Sequence, residues 1–166
     1  ALGEAEVAEL QRQDEEEVAL GRALGWIGRR PRSVREVRQA MERRGVAPQV
    51  QEAVVARLHA QGALDDRAFA EAWVENRRAF RPRSRIALRA ELNRKGIERS
   101  TTEEALAAWD DTAAALEAGR RAARRCSGLP EREFVRKVAG SLSRQGFDYE
   151  TSSTVARRIW RETTLS

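Results

Sequence analysis

Three stretches decide the fold: SVREVRQAMERRGV at 33–46, SRIALRAELNRKGI at 84–97 and FVRKVAGSLSRQGF at 134–147. Superimposed, they place one apolar residue eight positions before a glycine (Val37, Leu88, Val138) and another four before it (Met41, Leu92, Leu142). Side chains four apart lie one turn apart on a single face of an α-helix, so each pair marks a buried edge. The glycines themselves, Gly45, Gly96 and Gly146, recur at intervals of 51 and 50 residues. Each precedes an apolar residue (Val46, Ile97, Phe147), as a Schellman-type C-cap requires: a left-handed glycine, then a hydrophobic contact back onto the last turn.

Working outward, a further helix is expected after each glycine. Pro48 suits a first helical turn, Ser100 with Glu103 forms a capping box, and Asp148 caps the third. Nine positions past each glycine stand Val54, Ala105 and Val155, and four further on Leu58, Trp109 and Ile159, again on one face. A leading helix precedes each pair, over 18–30, 66–79 and 112–126, with Asp65 as N-cap of the second and Pro31, Pro82 and Pro130 in the linkers. No window shows sustained period-two alternation. The fold class is therefore all-α: three tandem three-helix repeats forming an elongated, curved modular array. The expected boundaries are an acidic N-terminal arm or helix start over 1–17, then units over 18–62, 63–110 and 111–166.

Composition narrows the function. The 166 residues carry 31 bases and 26 acids, a formal charge of +5. That total divides unevenly, because residues 1–17 hold seven acids and one base, leaving a body of +11. Residues 29–44, 77–99 and 120–137 each concentrate bases, with seven, nine and seven against two acids apiece. One histidine (His59) and one cysteine (Cys126), far apart, argue against a metal site and exclude an intrachain disulfide, which suits a reducing cytoplasm. No GxxxxGK[ST] or GxGxxG phosphate loop occurs, and the carboxylate pairs Glu71/Glu75 and Asp110/Asp111 lack a metal partner. No cofactor and no enzymatic activity are expected. His59 fits a solvated or capping side chain and Cys126 an inert thiol. Neither a membrane span nor a secretion signal is visible.

The middle unit, with LDDRAFAEAWVENR from Leu64 and RAFRPRSRIALRAELNRKGI from Arg78, resembles the RecX family of RecA regulators. The third unit's LSRQGFDYETSSTVARRIW from Leu142 and the first unit's ALGWIGRRPRSVREVRQAMERRGV from Ala23 resemble the same family, so that the likeness spans about residues 18–162. It departs at Phe80–Pro82, where many members carry a glycine, and at Gly28, where a larger residue is usual. The resemblance implies a non-enzymatic regulator, chiefly an inhibitor, that binds the groove of the RecA filament on single-stranded DNA. Its expected effects are suppression of ATP hydrolysis, strand exchange and coprotease activity in DNA repair, homologous recombination and the SOS response. A cytoplasmic monomer that binds single-stranded DNA weakly and without sequence preference is expected. Two other classes stay open on the residues alone: a direct DNA-binding protein of helix-turn-helix type, and a helical protein–protein scaffold.

Candidate partner-binding residues follow from the charge. Arg81, Arg83, Arg85 and Arg89 stand out, since Arg85 and Arg89 lie one helical turn apart and Arg81 and Arg83 flank a stiff Pro82. Such a fork-bearing cluster suits phosphates or acidic protein patches. Arg35, Arg43, Arg44, Arg94 and Lys95 join the set, although Arg43, Arg94 and Arg144, each two residues before a glycine, also suit a helix C-terminus. Trp73 and Trp109 are expected in the core and Trp160 partly exposed. No aromatic ladder for stacking bases is visible.

Overall fold

The computed structural model describes residues 3–165. Among these residues it contains nine α-helices and no strand. They are α1 (Glu4–Arg29), α2 (Val34–Glu42), α3 (Pro48–Ala60), α4 (Asp66–Phe80), α5 (Arg85–Arg94), α6 (Arg99–Leu106), α7 (Asp111–Ala123), α8 (Glu131–Arg144) and α9 (Tyr149–Thr164). Helices pack in threes: α1 with α2 and α3, α6 with α4 and α5, and α7, α8 and α9 with one another.

The glycine caps form as the spacing demands. Gly45, Gly96 and Gly146 adopt φ of 71°, 76° and 93°. The amides of Val46, Ile97 and Phe147 then donate to the carbonyls of Met41, Leu92 and Leu142 at 3.2, 3.1 and 3.3 Å. Val37, Met41, Leu88, Leu92, Val138 and Leu142 are fully buried. Pro48 opens α3, Asp65 accepts from the amides of Arg67 and Ala68, and Asp148 accepts from the amide of Thr151.

Three expectations need correction. The capping box of Ser100 with Glu103 is absent, because α6 starts at Arg99 behind Glu98 and the Glu103 carboxylate is drawn instead to Arg89 at 2.6 Å. Trp109 does not continue the face of α6, which stops at Leu106. Leu106 fills the core position, and Trp109 is buried in the turn beyond it. Trp73 is only half-buried, since its indole N–H donates to the Glu91 carboxylate at 2.8 Å and needs the polar edge of the core. Near the N-terminus, α1 runs without a break across residue 17. Glu16 and Glu17 pin it to Arg57 of α3 at 3.2 and 2.6 Å.

Successive units meet in one repeated way. The turn ending at the glycine of one unit seats on the N-terminus of the second helix of the unit before it. Ser33, the N-cap of α2, donates from its hydroxyl to the carbonyl of Lys95 at 2.6 Å. At the next junction the amide of Ser84, N-cap of α5, donates to the carbonyl of Gln145 at 3.2 Å. Lys95 and Gln145 both stand directly before a capping glycine. The first residue of each following unit's leading helix completes the joint. Asp66 accepts from the amide of Val34 at 2.9 Å and Asp111 from that of Arg85 at 2.6 Å, satisfying helix-end donors with a charge that suits the helix dipole. A side chain at Gly96 would collide with Arg35, and one at Gly146 would stand 2.5 Å from the Ser84 hydroxyl and 2.8 Å from Ala87. Gly45, in the first unit, has open space around it.

The core is divided unequally. Residues from α4 to α9 form one continuous apolar cluster, whereas α1, α2 and α3 with Leu64 form another.

These contacts separate two costs of replacing a capping glycine. Gly45→Ala faces only the left-handed backbone and is expected to lose about 1 kcal/mol. Gly146→Ala carries the same backbone strain and also wedges the junction, so it is expected to lose about 2 kcal/mol more. Chemical denaturation of the two variants checks the difference.

Candidate functional site

Most of the expected binding residues are engaged within the chain. Arg83 reaches the buried Glu91 at 3.1 Å, Arg89 holds Glu103, and Arg85 donates to the carbonyl of Trp109 at 2.6 Å. Lys95 pairs with Glu36 at 2.7 Å, and Arg35 donates to the carbonyl of Asn93 at 3.3 Å. Arg44 lies over the Trp26 ring, 4.7 Å from its centroid, and bonds the carbonyl of Ala40. Arg81, Arg94 and Arg43 are exposed and make no ion pair among the described residues. Neither Arg43, Arg94 nor Arg144 bonds a helix carbonyl there, whereas the neighbouring Arg44 does.

Lys95 and Arg35 reach across the joint between the first two units, and a cluster of cations within the second unit lies beside that joint. Glu91 collects the indole of Trp73, Arg77 at 2.8 Å and Arg83, while Arg77 and Lys95 also lie over the Trp73 ring. Beside it, Glu36 accepts from Arg30, Lys95 and the amide of Ser33. Burial alone would raise the Glu36 carboxyl, but hydrogen bonds from Arg30 and Lys95 and from the Ser33 amide outweigh it and hold the pKa at about 2. Burial pushes the Asp66 carboxyl the other way, up from its ordinary value. On the exposed face of α5, the hydrogen bond from Arg89 lowers the Glu103 carboxyl.

A different arrangement lies between the second and third units. A groove of about 400 Å³, lined by Arg81, Arg83, Arg121, Arg125 and Arg144, runs through shared Arg125 and Arg144 into a second of about 600 Å³ that adds Arg136 and Lys137. No carboxylate lines either. Arg121 is committed, donating to the last carbonyls of α4, those of Ala79 and Phe80, at 2.8 and 2.7 Å. Arg81, Arg125, Arg136 and Arg144 make no ion pair among the described residues. Four guanidiniums thus share a channel without internal anions, offering paired N–H donors to phosphate or carboxylate groups. The sequence signal was the third basic segment together with Arg144. What it lacked was the packing of the third unit that sets Arg125 and Arg144 in one groove with Arg81.

Among the described residues no group of three or more His, Cys, Asp or Glu is placed to hold a metal ion. His59 is exposed and Cys126 is buried as a free thiol. No helix described is long and apolar enough to cross a membrane.

Fold and junctions together define a tandem three-helix-repeat protein with a basic interunit groove. Residues 19–58 match the family description "RecX, first three-helix domain" and residues 65–106 "RecX, second three-helix domain". The chain is 36% identical over 142 residues to a regulatory protein RecX of Thermobifida fusca, covering 84% of this chain and 75% of that one. It is 28% identical over 161 residues to the RecX of Bacillus subtilis, covering 95% of this chain and 61% of that one. A crystal structure of a regulatory protein RecX superimposes with a TM-score of 0.76 at 22% identity, covering 93% of this chain and 78% of that one. RecX from Lactobacillus salivarius does so with 0.73 at 19%, covering 89% and 97%. The chain belongs to the RecX family of regulatory proteins.

The Glu36 site makes a pH-dependent prediction. Its folded-state pKa is depressed, so its contribution to stability is full above the unfolded value near 4.5 and is lost as pH falls toward about 2. Glu36→Gln, which can still reach back to the Ser33 amide, is expected to cost about 2 kcal/mol at pH 7. The gap between variant and parent should close between pH 4.5 and 2 in urea titrations.

Proposed function

We propose that this chain is a non-enzymatic regulator of RecA, chiefly an inhibitor, that seats its basic groove on the RecA filament formed on single-stranded DNA. Membership of the RecX family supports the partner, and the four unpaired guanidiniums between the second and third units support the surface. A nucleoprotein filament presents phosphates and carboxylates along a helical track. A groove with no anions of its own meets either without first breaking an internal pair. Binding along that track suppresses ATP hydrolysis, strand exchange and coprotease activity, and its setting is the cytoplasm, in DNA repair and the SOS response. Arg81, Arg125, Arg136 and Arg144 carry this role, with Arg43, Arg44 and Arg94 as further exposed cations. Arg35, Arg83, Arg85, Arg89 and Lys95 act through the shape of the array that they hold together.

Affinity for bare single-stranded DNA in this reading is weak and salt-sensitive, because it rests on phosphates alone. A helix-turn-helix reader of duplex sequence has less in its favour. The turns at Gly96 and Gly146 are pressed against the preceding unit, leaving only the Gly45 turn open.

RecA's DNA-dependent ATPase, titrated with this protein, is expected to fall toward a plateau; an unchanged rate at saturating protein refutes the reading. Replacing Arg81, Arg125 and Arg144 together by Glu should abolish inhibition with helicity intact. Replacing the same three by Gln should reduce the slope of log K against log salt for single-stranded DNA by about 2, at roughly 0.7 for each lost phosphate contact.

A further inference from the structure

Two unpartnered surfaces lie at opposite ends of the chain. At one end, the N-terminal half of α1 leaves the body. The first core residue on this helix is Ala19, so Glu4 to Glu15 project over about 18 Å at 1.5 Å per residue. Val7, Leu10 and Val18 form an exposed apolar ridge along it, Leu10 at 48% and Val18 at 55% exposure, with Glu6, Asp14 and Glu17 on the same side. In water such a ridge gains nothing from being apolar, and among the described residues the ion pairs that tie this helix to another are those of Glu16 and Glu17 with Arg57.

At the other end, the third unit holds a groove of about 850 Å³ between the end of α7, the start of α8 and the end of α9. Its wall is apolar, from Ala123, Leu129, Phe134 and Trp160, with the rings of Phe134 and Trp160 5.1 Å apart. Arg120 and Arg124 stand on its rim. Arg120 is tied to Glu162 at 3.3 Å, and Arg124 has no ion pair among the described residues. The groove opens where α8 begins one turn earlier than α2 and α5 begin in their units. The residue aligned with Ser33 and Ser84 is here Phe134, buried inside the helix.

The two surfaces match in shape and charge. An apolar ridge on a helix that carries seven acids and one base over residues 1–17 faces an apolar trough in a unit of eleven bases and seven acids. Within one chain the two lie in different units, α1 packing on α2 and α3 and the groove lying among α7, α8 and α9. The first unit meets the second through the start of α2, and α1 extends away from that joint, while the groove lies on the side of the third unit away from its Gly146 junction.

We infer that the acidic half of α1 in one copy seats in the α7–α8–α9 groove of a second copy, laying its ridge against Phe134 and Trp160 with Arg124 meeting its carboxylates. The contact is heterologous, so it does not close on itself and lines copies up end to end. It departs from the monomer expected of the sequence and does not depend on the RecA reading, because it is a property of the isolated chain.

Sedimentation of the full chain over a range of concentrations tests it. The average mass should rise with concentration at low salt and fall back as salt is added. Leu10→Asp and Arg124→Glu, both at exposed positions, should each weaken association by about tenfold or more while circular dichroism stays that of the parent. Mixed together, the two variants should form a 1:1 dimer that grows no further, since one retains only a working groove and the other only a working arm. A single monomer mass at every concentration overturns the inference. So does association that Leu10→Asp abolishes and Arg124→Glu leaves untouched, which would mark α1 pairing with α1.

Discussion

The array depends on a contact that only a residue without a side chain permits. Where the turn of one unit lies on the start of the preceding unit's second helix, the backbone at Gly96 and Gly146 comes within touching distance of Arg35 and Ser84. Each glycine therefore does two jobs at one position: its positive φ ends its own helix, and its missing Cβ lets the next-door unit approach. The aspartates at the starts of α4 and α7 then supply acceptors for amides that a helix start leaves unpaired. A joint built on backbone groups and a short carboxylate occurs at both unit boundaries.

The distribution of arginine follows from that joint. The buried carboxylate of Glu91 and the half-buried one of Glu36 are tolerated because several cations converge on each, and that convergence draws in Arg30, Arg77, Arg83 and Lys95. Between the second and third units a shared apolar core does the same work, so the cations there are released to line an open groove. One basic sequence thus has two destinations, structural at the first junction and solvent-facing at the second.

Much of the fold was legible in the residues because it rests on local rules. The apolar pairs before each glycine, the caps at Pro48, Asp65 and Asp148, and the positive-φ turns need only short-range spacing. Ser100 misled because a capping motif competes with an ion pair: Arg89 comes from another helix, and no local pattern shows that it will claim Glu103. Trp109 misled because its alignment supposed a longer α6. The candidate site was less legible still. Charge density pointed to Arg83, Arg85 and Arg89, whose partners Glu91, Trp109 and Glu103 are 8, 24 and 14 residues away in sequence. Arg125 and Arg144 gather beside Arg81 only through packing across units, with Arg136 in the adjoining groove.

The division of the apolar core has a mechanical consequence. The second and third units share one continuous interior, and bending between them would open it. The first unit keeps its own interior and meets the second through hydrogen bonds and ion pairs, which water replaces at far smaller cost than apolar contact. The second and third units thus make a stiffer lever, with the first unit a more compliant segment at its N-terminal end. Along any helical track, the lever fixes the angle of approach while the segment absorbs variation in pitch.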